Sequence, residues 1–152
     1  LKQISESVGG RPEIYAIYPA MIDTVGDVGS MTGSTCTTKL NLGLMGSRVS
    51  DIKGHFCEIS YGWIGSLILF TVYSGISSMI YGLDLFIPMV STVLLTNLVV
   101  IPVIAFISFL VGIVTFKRGL NPDNFIIPIE TSLADGITTL VLYLFLQLRY
   151  RL

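Results

Sequence analysis

Two stretches of the chain, Ile59–Leu83 and Leu85–Phe116, contain no charged residue. Each exceeds the roughly 20 apolar positions that an α-helix needs to cross a bilayer. In lipid every backbone N–H and C=O must be bonded within the protein, which a helix achieves along its own length. The constraint therefore points to an all-α, polytopic membrane domain. A mean hydropathy of +0.77 with only 12% charged residues weighs against the other option, a soluble bundle with an unusually apolar core.

The remaining composition removes several function classes. The formal net charge is −1 and there is no basic tail or patch, which argues against a nucleic-acid partner. Cys36 and Cys57 have no metal-ligand spacing, and the single His55 sits in a polar stretch without a His or Cys cluster beside it. No GxxxxGK[ST] loop occurs, so ATP-driven transport is not encoded in this stretch. The polar N-terminus lacks the basic region and apolar core of a signal peptide. The start at Leu1 rather than Met fits an excised domain or a processed product. Nothing marks the chain as an enzyme.

The whole chain, 1–152, reads as one membrane domain. A polar segment, 1–13, precedes spans expected over 14–46, 59–82, 87–116 and 124–148. The first of these is unusual. Ile14–Ile22 is apolar but short, and it runs into DTVGDVGSMTGSTCTTKLNLGLMG, Asp23–Gly46. Polar, glycine-interrupted segments are tolerated in membranes where they are buried in protein or line a cavity. The segment is therefore expected to span with a locally broken or tightly packed middle. Gly29 and Gly33 form a GxxxG pair, and Gly26 and Ser30 a second pair of small residues, both suited to close helix approach. Asp23 and Asp27 stand one turn apart on one face, where like charges call for a bound cation or a shared proton. The alternative for Asp23 is an interfacial position solvated by water.

Further on, Tyr61 and Trp63 at one end of the second span and Tyr81 at the other fit an aromatic belt. Pro102 gives the third span a reason to kink. Asn97, its one amide, is either interhelical glue or an ion ligand, the former carrying more weight. The basic residues Arg48, Lys53, Lys117 and Arg118 fall on one side, which the positive-inside rule favours as cytoplasmic, although Arg149 and Arg151 end on the other.

The last span opens with NPDNFIIPIETSLAD, Asn121–Asp135, with Asp123 and Asn124 as the start signal. Asp135 then lies about two to three turns inside a membrane helix. A carboxylate at that depth costs roughly 2.5–3.5 kcal/mol on insertion scales. Such a residue is usually kept for an ion or proton path. Thr131, Ser132, Thr138 and Thr139 lie one turn either side, and Gly136 lets another backbone come close. Glu130, five residues before Asp135, is about 140° round the helix from it. It cannot share a ligand position with Asp135 on a regular helix; it sits at headgroup level or lines a wider mouth.

These residues carry a resemblance. KRGLNPDNFIIPIETSLAD, Lys117–Asp135, resembles the end of the membrane domain of MgtE-type divalent-cation transporters, more closely their short archaeal relatives and the animal magnesium carriers. PAMIDTVGDVGSMTGSTCTTKLNLG, Pro19–Gly43, is similar to the Pro-initiated second helix of that domain, which carries a Gly-Asn-x-Gly motif. Asp27 replaces the usual Asn, which implies an extra charge near the pathway. The family has one more helix ahead of this segment, so the resemblance implies that a first helix was cut away or is supplied elsewhere.

The resemblance implies Mg²⁺ transport across the cell membrane by a multi-pass protein, with two protomers, or a second homologous domain, pairing about a central path. The expected ion-contacting residues are Asp135, Asp27, Asp23, Thr131 and Glu130. Mg²⁺ keeps most of its water and takes one or two carboxylates, which suits a carboxylate-and-hydroxyl face. Channel and coupled carrier remain open, as do two other classes: an assembly subunit whose acids pair with a partner's helices, and a proton-coupled permease using Asp135.

Overall fold

In a computed structural model of the protein, residues 10–151 are described, and all their regular structure is helical. The polar segment expected over 1–13 lies mostly outside them. A single turn, α1 (Pro12–Tyr15), leads into α2 (Tyr18–Asn41). A 3₁₀ segment over Val49–His55 precedes α3 (Phe56–Tyr81). A second, Leu83–Leu85, joins α3 to α4 (Phe86–Lys117), and α5 (Asp123–Arg151) completes the bundle.

Of the first expected span, 14–46, the structure has one helix over Tyr18–Asn41, and its middle is the tightly packed alternative. Helix α2 is continuous through its glycines, so no local break exists. It stops at Asn41 because Gly43 takes φ +68°, and Leu44 N–H then bonds back to Lys39 O at 2.9 Å. That is a Schellman closure, in which the left-handed residue lets the last carbonyls find donors. Gly119 (φ +69°) ends α4 in the same way, with Leu120 N–H on Thr115 O at 3.1 Å. Helix α5 is started by Asn121, whose side-chain oxygen accepts the Asp123 N–H at 3.1 Å, slightly upstream of the expected signal.

Helices α3, α4 and α5 are long and apolar enough to cross a membrane. Helix α2 is not among them; its 24 residues would reach about 36 Å, but Asp23, Asp27, Lys39 and many Gly, Ser and Thr lower its hydropathy. It packs against all three apolar helices. Its buried face runs through Met21, Val25, Val28, Thr32, Cys36 and Leu40, meeting Val100, Ile101, Ile104 and Phe109 of α4 in the core.

Four serines of α3 face inward. Its buried residues are Ser66, Phe70, Ser74, Ser77 and Ser78, while Ile64, Ile68, Val72, Ile76 and Ile80 are exposed. This inverted pattern is what a helix needs when its outer neighbour is lipid: small residues permit close packing inside, and aliphatic ones meet hydrocarbon.

Asn97 is buried between α3 and α4, accepting from Trp63 Nε1 at 3.0 Å and donating to Ser66 Oγ at 2.9 Å. It is interhelical glue. Trp63 accordingly points its indole N–H into the bundle, whereas Tyr61 and Tyr81 remain exposed. His55 also departs from expectation: it is buried edge-on against Phe109, with ring centroids 5.7 Å apart. Beside it Lys39 pairs with Glu58 at 2.5 Å and bonds Gly54 O, holding the end of α2 to the start of α3. At the opposite end Arg149 reaches the Ser91 and Thr92 hydroxyls of α4.

Candidate cation cleft between α2 and α5

Helices α2 and α5 run antiparallel, and their register is fixed at three points. Tyr18 bonds Thr139, Ser30 bonds Glu130, and Gly33 is filled by Ile126. The contact is close because α2 lacks side chains where α5 approaches. A Cβ on Gly29 would stand 2.6 Å from both Glu130 Cγ and Ile104 Cγ2. The GxxxG pair thus serves packing within the chain, as its spacing suggests.

Above this seam the helices part into a cleft of about 410 Å³. Asp23, Asp27 and Ser30 reach it from α2, at i, i+4 and i+7 of one face, and Thr131 and Asp135 from α5. The lining contains three acids and no base. All three are exposed, and none has a hydrogen-bond partner for its carboxylate among the described residues. A concave surface of one sign focuses potential and concentrates counter-ions.

The hydroxyls are arranged as acceptors. Thr131 donates its proton to Ile127 O at 2.8 Å, which leaves its oxygen lone pairs unused. Thr139 likewise donates to Asp135 O at 2.5 Å, so in the Tyr18–Thr139 bond the proton comes from Tyr18. That bond closes one end of the cleft.

The surroundings of Asp135 are less uniform than the sequence spacing suggests. Thr138 is fully buried with its hydroxyl in the core, and Ser132 faces away, donating to Pro128 O at 2.9 Å. Among the described residues nothing comes within 4 Å of where a Cβ on Gly136 would stand. Glu130 is 1% exposed and neither projects to a headgroup region nor lines a mouth. It turns into the α2–α5 seam, where Oε2 accepts the Ser30 hydroxyl at 2.6 Å and Oε1 has no partner.

Of the expected ion-contacting residues, Asp23, Asp27, Thr131 and Asp135 meet in the cleft, and Glu130 lies beneath its floor. Among the described residues no three His, Cys, Asp or Glu side chains come close enough to hold one ion together. Sequence reasoning missed two contributors, Tyr18 and Ser30. Ser30 was recoverable, since it continues the Asp23–Asp27 face by one turn; Tyr18 depends on the tertiary register and had no local signal.

A family model described as MgtE, divalent cation transporter, matches residues 18–145. No curated protein and no solved structure matches the chain significantly. The matched region begins at Tyr18 and ends past Leu142 in α5, so it contains the cleft and the helices that build it. The chain is a membrane protein of the MgtE divalent cation transporter family.

Proposed function

We propose that the protein carries Mg²⁺ across the cell membrane as a multi-pass transporter, with the ion passing the α2–α5 cleft. The observation that carries this reading is the convergence of Asp23, Asp27 and Asp135, with the Thr131 oxygen, in one cleft free of basic residues. Hard oxygen donors without His or thiolate suit Mg²⁺ rather than Zn²⁺ or Cu⁺. The dimensions agree with a hydrated cargo: an octahedral shell of waters at about 30 Å³ each fills roughly 180 Å³. That is well within the 410 Å³ of the cleft. The carboxylates then act on the ion largely through its retained water, which explains why they need not close into a single protein cage.

The cleft is open on its outer side, where Asp23, Asp27 and Asp135 remain exposed. A second protomer, or a second homologous domain, completes the path there. Uptake into proteoliposomes, compared for Mg²⁺, Ca²⁺, Mn²⁺, Zn²⁺ and Na⁺ at equal free concentration, tests the reading. Mg²⁺ is expected to lead, with Mn²⁺ as a lookalike. A preference for Zn²⁺, or no divalent flux above empty liposomes, would overturn it.

A further inference from the structure

Glu130 has a chemical deficit that packing does not explain. Its side chain is buried between α2 and α5 at 1% exposure, yet only Oε2 is satisfied, by Ser30. Among the described residues Oε1 has no donor and no acceptor. An ionised carboxylate in that place lacks a counter-charge, and a neutral one donating from Oε2 to Ser30 would still leave Oε1 unsatisfied. Among the described residues no cationic side chain bonds it.

The open oxygen is aimed at the thin part of α2. A Cβ on Gly29 would stand 2.7 Å from Oε1, and one on Gly26, which lines the cleft, 3.5 Å from it. Oε1 therefore packs against α2 at Gly29 and Gly26, and Gly26 also lines the cleft. Along α5, Glu130 precedes Asp135 by roughly 7.5 Å and about 140°. Two carboxylates so placed serve successive positions, not one.

We propose that Glu130 is a second, inner ligand for the transported divalent cation, reached from the Asp135 cleft past Gly26 and Gly29. This rests on the transport reading above. Ser30 holds the carboxylate by one oxygen and leaves the other to the ion. Once an arriving cation displaces any proton it holds, the carboxylate attracts a divalent cation twice as strongly as a monovalent one, so the inner position selects by charge. It also offsets the loss of water that Mg²⁺ resists.

The test uses the full chain in proteoliposomes, with Mg²⁺ flux followed by an internal dye, and Mg²⁺-dependent thermal stabilisation of the purified protein as the measure of cleft binding. Glu130→Gln is expected to keep the stabilisation while flux falls about tenfold or more, a loss of the size that one differential interaction supplies. Asp135→Asn is expected to lose both. Normal flux in Glu130→Gln beside a dead Asp135→Asn would overturn the inner ligand and leave the transport reading intact. Normal flux in both would overturn the transport reading itself. Should Glu130→Gln not fold, Glu130→Asp keeps the charge but withdraws it by one methylene. The proposal expects a raised half-saturating Mg²⁺ concentration in that variant, and an unchanged one would overturn it.

Discussion

Gly29 and Gly136 are both glycines flanking an acid of the cleft region, and their surroundings predict opposite outcomes for the same substitution. A methyl at Gly29 meets Glu130 and Ile104 at 2.6 Å, against side chains already in the core. Gly29→Ala should cost about 1–3 kcal/mol of stability, the usual range for overpacking. Gly136→Ala meets nothing among the described residues and should keep or raise the melting temperature, since Ala replaces Gly inside a helix at a gain of up to about 1 kcal/mol. Thermal unfolding of both variants checks the pair. Asp27 offers a separate test at this scale. Its carboxylate is exposed in the cleft and unpartnered among the described residues, so Asp27→Asn, which brings in the residue usual in the family, should preserve fold and Mg²⁺ flux. Its effect should appear in ion preference or pH dependence. A drop in melting temperature with unchanged selectivity would mark Asp27 as structural.

Between elements, the α3–α4 contact depends on polar side chains more than on greasy ones. Asn97 bridges Trp63 and Ser66, and the rest of the inner face of α3 is serine around Phe70. Interhelical hydrogen bonds in membranes contribute about 0.6 kcal/mol each on average and up to about 1.7. Asn97→Ala removes two of them and opens a gap, so it should lower the melting temperature while folded protein keeps its Mg²⁺ flux. Loss of flux at unchanged stability would instead make Asn97 an ion contact. The helices themselves were legible in the sequence: the charge-free runs become α3 and α4 within a few residues of the expected ends. Helix α2 was harder to read. Its glycines fit either a break or close packing when counted along the chain, and the approach of Glu130, Ile104 and Ile126 decides for packing. Trp63 and His55 misled for a related reason. An aromatic near a span end and a histidine in a polar stretch are ambiguous until Asn97 and Phe109 are placed beside them.

Across the whole molecule, one side of the bundle is apolar and the α2–α5 side is acidic. The exposed aliphatic face of α3 suits lipid, and the cleft carries three carboxylates with no base among its lining residues. Asp23, Asp27, Thr131 and Asp135, picked out by helical spacing and by the family's motif, line one cleft. The inward turn of Glu130 was not readable in the sequence, because a helical wheel gives its angle from Asp135 but not which neighbour fills that angle. The account as a whole depends on Asp135, which lies at the meeting of both helices. Its side chain has no hydrogen-bond partner among the described residues, so Asp135→Asn should fold and unfold like the parent protein. A neutral amide, however, no longer compensates a doubly charged ion that gives up water reluctantly. The decisive measurement is Mg²⁺ uptake by Asp135→Asn in proteoliposomes, normalised to folded protein. The account predicts a fall of at least about tenfold with an unchanged melting temperature; uptake equal to that of the parent protein would contradict it.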